Sequence, residues 1–196
     1  MQRELAALLQ SEWDWRMRES PQFATTVGDH RFDDALSRES IADEQRRAAD
    51  TQRFLDEAAG LDRNALPDAD RITLDMFRSE LEDRLAAFRY REYLLPINAD
   101  SGFHSGFALL PQTLRLSDVK DYDNYLARLR AFPRYVDEHI ARMREGLKAG
   151  ITVPKVALAG VDTAVAPLMP ADPAASPLYG PFASMPATIP DAERTR

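Results

Sequence analysis

The strongest constraint on this chain is a periodicity. Val119, Tyr122, Leu126, Leu129, Pro133, Val136, Ile140, Met143 and Leu147 follow one another at alternating three- and four-residue steps, which places them on one face of an α-helix. The spacing predicts a long helix whose apolar face is core, opened by Ser117 or Asp118 and stopped by Gly150. Pro133 lies on that face, where it removes a backbone donor and clashes with the preceding turn. Because the apolar phase continues across it, one kinked helix is expected rather than two.

Upstream, Leu5, Leu8, Leu9 and Trp13 share one side of a helix over about Arg3 to Arg18, which stops before Ser20-Pro21. Pro21 suits the first turn of a short helix with Ser20 as its cap and Gly28 as a left-handed stop. From Asp29 to Asp34 a polar loop follows, in which a solvent-facing His30 lies among carboxylates. Ser40-Ile41-Ala42-Asp43 has the capping-box pattern, and its helix should run through Leu55 and Ala59 to a C′ residue at Gly60. A third long helix is expected after Pro67, capped by Asp68 or Asp70, with Leu74, Phe77, Leu81, Leu85 and Phe88 inward and its end near Tyr93.

Beyond Gly150 the chain changes character, because eight of its 13 prolines fall there. A short helix between about Lys155 and Ala166 is expected, followed by a connector. Leu168, Met169, Leu178, Tyr179, Phe182, Met185 and Ile189 are too apolar for a free linker and should lie against something. Pro190 to Arg194 reads as the first turn of a helix whose body is not in this sequence. With no strand pattern longer than a few residues, the fold class is all-α. Several long antiparallel helices, the longest kinked, precede a Pro-rich and mostly irregular C-terminal segment. Residues 1–150 form the helical domain, and residues 151–196 a connector that packs on those helices or on a C-terminal half absent from this sequence.

A net charge of -7 and a pI near 5.0 argue against nucleic acid or anionic lipid as partners, since both require a concentrated basic face. No apolar run approaches the roughly 20 residues that span a bilayer. The absence of cysteine excludes disulfides, thiolate catalysis and Cys-ligated zinc. Met1 to Trp15 has no secretory pattern, so the chain as written is cytoplasmic, or periplasmic if a signal has been removed. His30, His104 and His139 are far apart and none begins an HExxH pattern, so no catalytic and no metal-ligating residue is assigned; His139 is expected on a helix flank. Gly102 to Gly106 lacks the spacing and lysine of a P-loop, and neither Ser101 nor Ser105 sits in a GxSxG elbow. Trp13, Trp15, Phe103, Phe107, Tyr122, Tyr125, Phe132 and Tyr135 either wall a cleft or belong to the core. The polar loop before the long helix is the one candidate site. Asn98, Asp100 and His104 there either face a substrate cleft or serve the loop's own hydrogen bonds.

In order along the chain stand Ser20-Pro21, Thr25-Thr26-Val27-Gly28-Asp29, Leu95-Pro96-Ile97-Asn98 with Gly102, Asp121-Tyr122-Asp123-Asn124-Tyr125-Leu126, Met143-Arg144-Glu145-Gly146-Leu147, and Ser176-Pro177-Leu178-Tyr179. In that order they resemble the N-terminal part of a bacterial family termed domain of unknown function 885. The resemblance implies a largely helical protein similar to HExxH zinc metallopeptidases of the gluzincin kind, whose zinc motif lies downstream of anything present here. It therefore implies zinc in a full-length member only, no cofactor in this chain, and no activity of this chain alone. By analogy, these helices would pack on the missing catalytic half and wall a cleft for a peptide substrate. A second reading is a self-sufficient helical module that binds a peptide or protein partner. A third is a structural fragment with uncovered apolar faces.

Overall fold

The computed structural model describes residues 3–98 and 101–194. Helix α1 (Arg3–Glu19) leads directly into α2 (Pro21–Thr26), and α3 (Ile41–Gly60) and α4 (Asp68–Arg89) complete the N-terminal group. After the loop come α5 (Phe103–Ala108), α6 (Leu110–Thr113) and the 31-residue α7 (Val119–Ala149). Among the described residues there is no strand, only an isolated antiparallel bridge between Ile97 and Gly102. The all-α architecture follows.

Several helix ends are set as the sequence predicts. Ser40 Oγ accepts from the Asp43 N–H at 3.1 Å, and Asp118 and Asp121 cap each other's backbone reciprocally at the start of α7. Gly28 and Gly150 both adopt left-handed φ, at 87° and 70°. Helix α7 continues through Pro133 as one element. Other ends differ. Ser20 occupies the N-cap of α2 without a side-chain cap bond, and its N–H continues the α1 ladder to Arg16 O instead. Gly60 is the last helical residue of α3 and is not left-handed; Leu61 closes that helix in an extended conformation. Pro67, rather than Asp68 or Asp70, stands at the N-cap of α4. That helix ends at Arg89, short of Tyr93, because Arg91 turns left-handed at φ 58° and redirects the chain into a 3-10 turn, Glu92–Leu94.

The largest difference lies in α7. Its buried stripe follows the predicted apolar face only at Tyr122, which is buried: Leu147 is 72% exposed and Pro133 is exposed, while Leu126, Leu129, Val136, Ile140 and Met143 are half-buried. Full burial beyond it falls on Tyr125, Arg128, His139, Arg142 and Gly146, with half-buried Phe132 and Tyr135 between them, again at three- and four-residue steps. That stripe is displaced by one residue, a rotation of about 100°. Tyr125 packs with Leu36, Phe107 and Leu110 in one core, while Leu5, Leu8, Phe54, Ala58, Leu74, Phe77 and Leu81 from α1, α3 and α4 form the other.

After Gly150 the chain makes short turns more often than expected: 3-10 turns at Lys155–Leu158, Ala166–Leu168 and Pro173–Ala175, with α8 (Val161–Val165), α9 (Gly180–Ala183) and α10 (Asp191–Arg194). Leu178 and Phe182 pack on the α7 core, and the Tyr125 hydroxyl donates to Leu178 O at 2.8 Å. Ile189 alone is buried among the described residues of this segment.

Candidate functional site

The loop that joins α4 to α5 is tied by its own polar groups. Asn98 N–H donates to Ser101 O at 2.9 Å, and Asn98 Oδ1 accepts from the Ser101 N–H and Oγ at 2.9 and 3.0 Å. Together with the Ile97–Gly102 bridge this makes a narrow reversal. His104 folds back over Gly102, where a Cβ would stand 2.9 Å from its Cε1 and Nδ1, and Nδ1 is buried without a hydrogen-bond partner among the described residues. Asp100 lies outside the described residues.

The reversal brings Gly102, Phe103, Gly106 and Phe107 against Gln22 and Thr26 of α2, Leu110 and Thr113 of α6, and Tyr135 of α7, around a cleft of about 300 Å³. Asn98 and His104 do not line this cleft; they hold the loop that does. Its floor is made of stacked rings. Phe107 lies 3.6 Å from Phe132 at an interplanar angle of 10°, and Phe103 lies 4.3 Å from the His139 ring at 9°. Phe103, Phe107 and Tyr135, three of the eight aromatic candidates, thus meet at one place. Tyr122 faces a different cleft beneath α9, Trp13 and Trp15 line clefts along α1, and Tyr125 is wholly buried.

Behind the rings runs the polar stripe of α7. Arg128, fully buried, donates through Nε to Ala35 O at 2.9 Å and through Nη2 to Thr25 Oγ1, Phe32 O and Pro21 O at 2.6, 3.2 and 3.3 Å. Arg142 pairs with Glu39 at 2.6 Å and with Glu44. Glu138 accepts from the Glu39 N–H and from Arg134, both at 2.6 Å. These contacts fasten α7 to α2, to the start of α3 and to the segment between them. His139, expected on a flank, is instead 5% exposed, and neither ring nitrogen has a hydrogen-bond partner among the described residues. Burial, and then the Arg142 charge, pull its pKa down to about 4, so the ring is neutral near pH 7. Burial also pushes the Tyr135 phenol up to about 12.

His30 sits in a 3-10 turn with Nδ1 2.8 Å from Asp33 Oδ2, on the surface. Among the described residues no three His, Cys, Asp or Glu side chains gather as metal ligands do. The donor set does not fit zinc: one histidine is on the surface, one lies over a glycine, and one is enclosed by rings. Residues 21–196 match the model of a family described as bacterial protein of unknown function (DUF885). The chain belongs to that family. No curated protein matches it. No helix of the described DUF885 chain is long and apolar enough to cross a membrane.

The residues that sequence reasoning missed are Arg128, His139 and Arg142. A signal for them existed: Tyr125, Phe132 and Tyr135 already mark the second stripe, and the three polar residues complete its period.

Proposed function

We propose that this chain is the non-catalytic helical wall of a substrate cleft in a zinc metallopeptidase-like hydrolase whose metal and general base belong to polypeptide outside this sequence. The observation that carries the reading is the ring-floored cleft beside the Gly102 loop, which the Arg128 and Arg142 contacts hold between α2 and α7. Asn98 and His104 act on it through the shape of the loop, and Asp100 belongs to the same loop in sequence. Because the histidines do not fit zinc, no step through the metal is assigned to this chain. The purified chain should carry far less than one zinc per molecule and leave peptides intact. One tightly bound zinc per chain, or chelator-sensitive hydrolysis by the chain alone, would overturn the reading. In an active polypeptide that contains this chain, replacing Asn98 and His104 together by Ala lowers kcat/KM with little change in thermal unfolding; parallel loss of both makes the loop structural only.

A partner-binding role has one specific observation in its favour. A groove of about 700 Å³ between α1 and α4 exposes Trp13 by 39% and Met76 by 69%. Exposed large apolar side chains such as these, rimmed by Glu12, Arg16, Glu80 and Asp83, are the kind of surface that interaction sites use. Self-association of the purified chain that Met76→Lys abolishes would mark this groove as an uncovered apolar face, and a monomer that binds no hydrophobic dye would exclude such a face.

A further inference from the structure

We infer that the cleft beside the Gly102 loop takes an uncharged aromatic side chain of a peptide and rejects charged ones, an inference that rests on reading this cleft as a substrate site. Among the described residues, no Asp, Glu, Lys, Arg or His lines it. A charged side chain entering would shed part of its water and meet no counter-ion among the described lining residues, which disfavours it. Among the described lining residues Tyr135 is the one titratable group, and its phenol, pushed up further by burial, is neutral near pH 7.

The floor selects for a ring. Phe103 and Phe107 each already rest on a second ring, so an entering aromatic group adds to existing stacks in offset or edge-on geometry. Gly106 leaves the space open, since nothing lies within 4 Å of where its Cβ would be. At about 300 Å³ the cleft sits at the small end of ligand pockets, which run from about 300 to 1,000 Å³, and suits one side chain rather than a long segment.

Two polar groups remain for the peptide backbone. The hydroxyls of Thr26 and Thr113 donate to Gln22 O and Leu110 O, at 3.0 and 2.9 Å. Gln22 Oε1 accepts from the Ser37 N–H at 3.2 Å, which leaves its carboxamide N–H groups without an acceptor among the described residues. The Tyr135 hydroxyl likewise makes no hydrogen bond among them. Donors of this kind match the carbonyls that flank a peptide side chain.

The test uses the whole chain, isotope-labelled, titrated with the N-acetyl amides of phenylalanine, lysine and glutamate while the Gly102 and Gly106 amide resonances are followed. The phenylalanine probe should shift both saturably, with the charged probes weaker by roughly tenfold or more. Gly106→Leu, which fills the open space, should abolish the shift. Gln22→Glu keeps the acceptor for Ser37 and places a carboxylate in the cleft; it should weaken the phenylalanine probe and admit the lysine probe, and it decides the matter if Gly106→Leu fails to fold. Equal or tighter binding of a charged probe to the unaltered chain would overturn the aromatic selectivity and leave the cleft reading standing. No shift with any probe would overturn both.

Discussion

Arg128 shows most directly how this fold uses charge. The side chain is fully buried and its guanidinium reaches three backbone carbonyls and one hydroxyl in the 21–35 segment, while Thr25 passes a 2.6 Å hydrogen bond on to Asp33. Arg128→Met preserves much of the volume and removes every donor: Ala35 O and Thr25 Oγ1 lose the guanidinium, while Pro21 O and Phe32 O keep their bonds from Thr25 Oγ1 and the Ala35 N–H. It should destabilise the chain by about 3–5 kcal/mol, as loss of one partner from a buried charged network does, measured by urea unfolding. His139 behaves oppositely. Its pKa is about 4 in the folded state and 6.5 when unperturbed, so in between the unfolded chain binds the extra proton. Its contribution to stability is present above about pH 6.5 and lost as pH falls toward about 4, with a ceiling on the order of 3 kcal/mol. His139→Leu should flatten the pH dependence of stability across that window. An unchanged slope would show that other groups set it.

At the scale of elements, two helical glycines separate backbone preference from packing. A Cβ on Gly146 would lie 2.7 Å from Ile151 O and 3.2 Å from Leu94 O, because the chain leaving α7 folds back on its last turn and the Leu94 backbone packs beside it. Gly146→Ala should cost about 1–3 kcal/mol despite the better helix propensity of alanine. Gly106 in α5 meets nothing, so Gly106→Ala should stabilise by about 0.5–1 kcal/mol. Thermal unfolding of the two variants should move in opposite directions. The contrast marks where sequence reading reaches its limit. Asp118, Ser40, Gly28 and Gly150 were legible because caps and left-handed stops depend on residues within one turn. Arg91 was not: a left-handed arginine is set by where α4 must release the chain, and nothing local announces it.

Over the whole molecule, two cores are joined by charged contacts, with the Arg142, Glu39 and Glu44 set and the Arg134–Glu138 pair lying where α7 meets the N-terminal helices. The segment after Gly150 is mostly exposed and built of single turns. Amide hydrogen exchange should therefore be slowest in α1, α3, α4 and the middle of α7, and fastest between about residues 155 and 175. Equal protection across the chain would refute this ranking. The amino-acid sequence alone determined the helical class, the three long N-terminal helices, the uninterrupted α7 and the loop that borders the cleft, because periodicity and caps act over a few residues. It left Asn98 and His104 open between contacting a substrate and serving their own loop, and the structure shows only that both are engaged within it. Which face of α7 turns inward was decided by tertiary structure. Hydropathy ranks Arg128, His139 and Arg142 as surface residues; only the oxygens that the 21–44 segment brings to the two arginines, and the Phe103 and Tyr135 rings packed on His139, accommodate them inside.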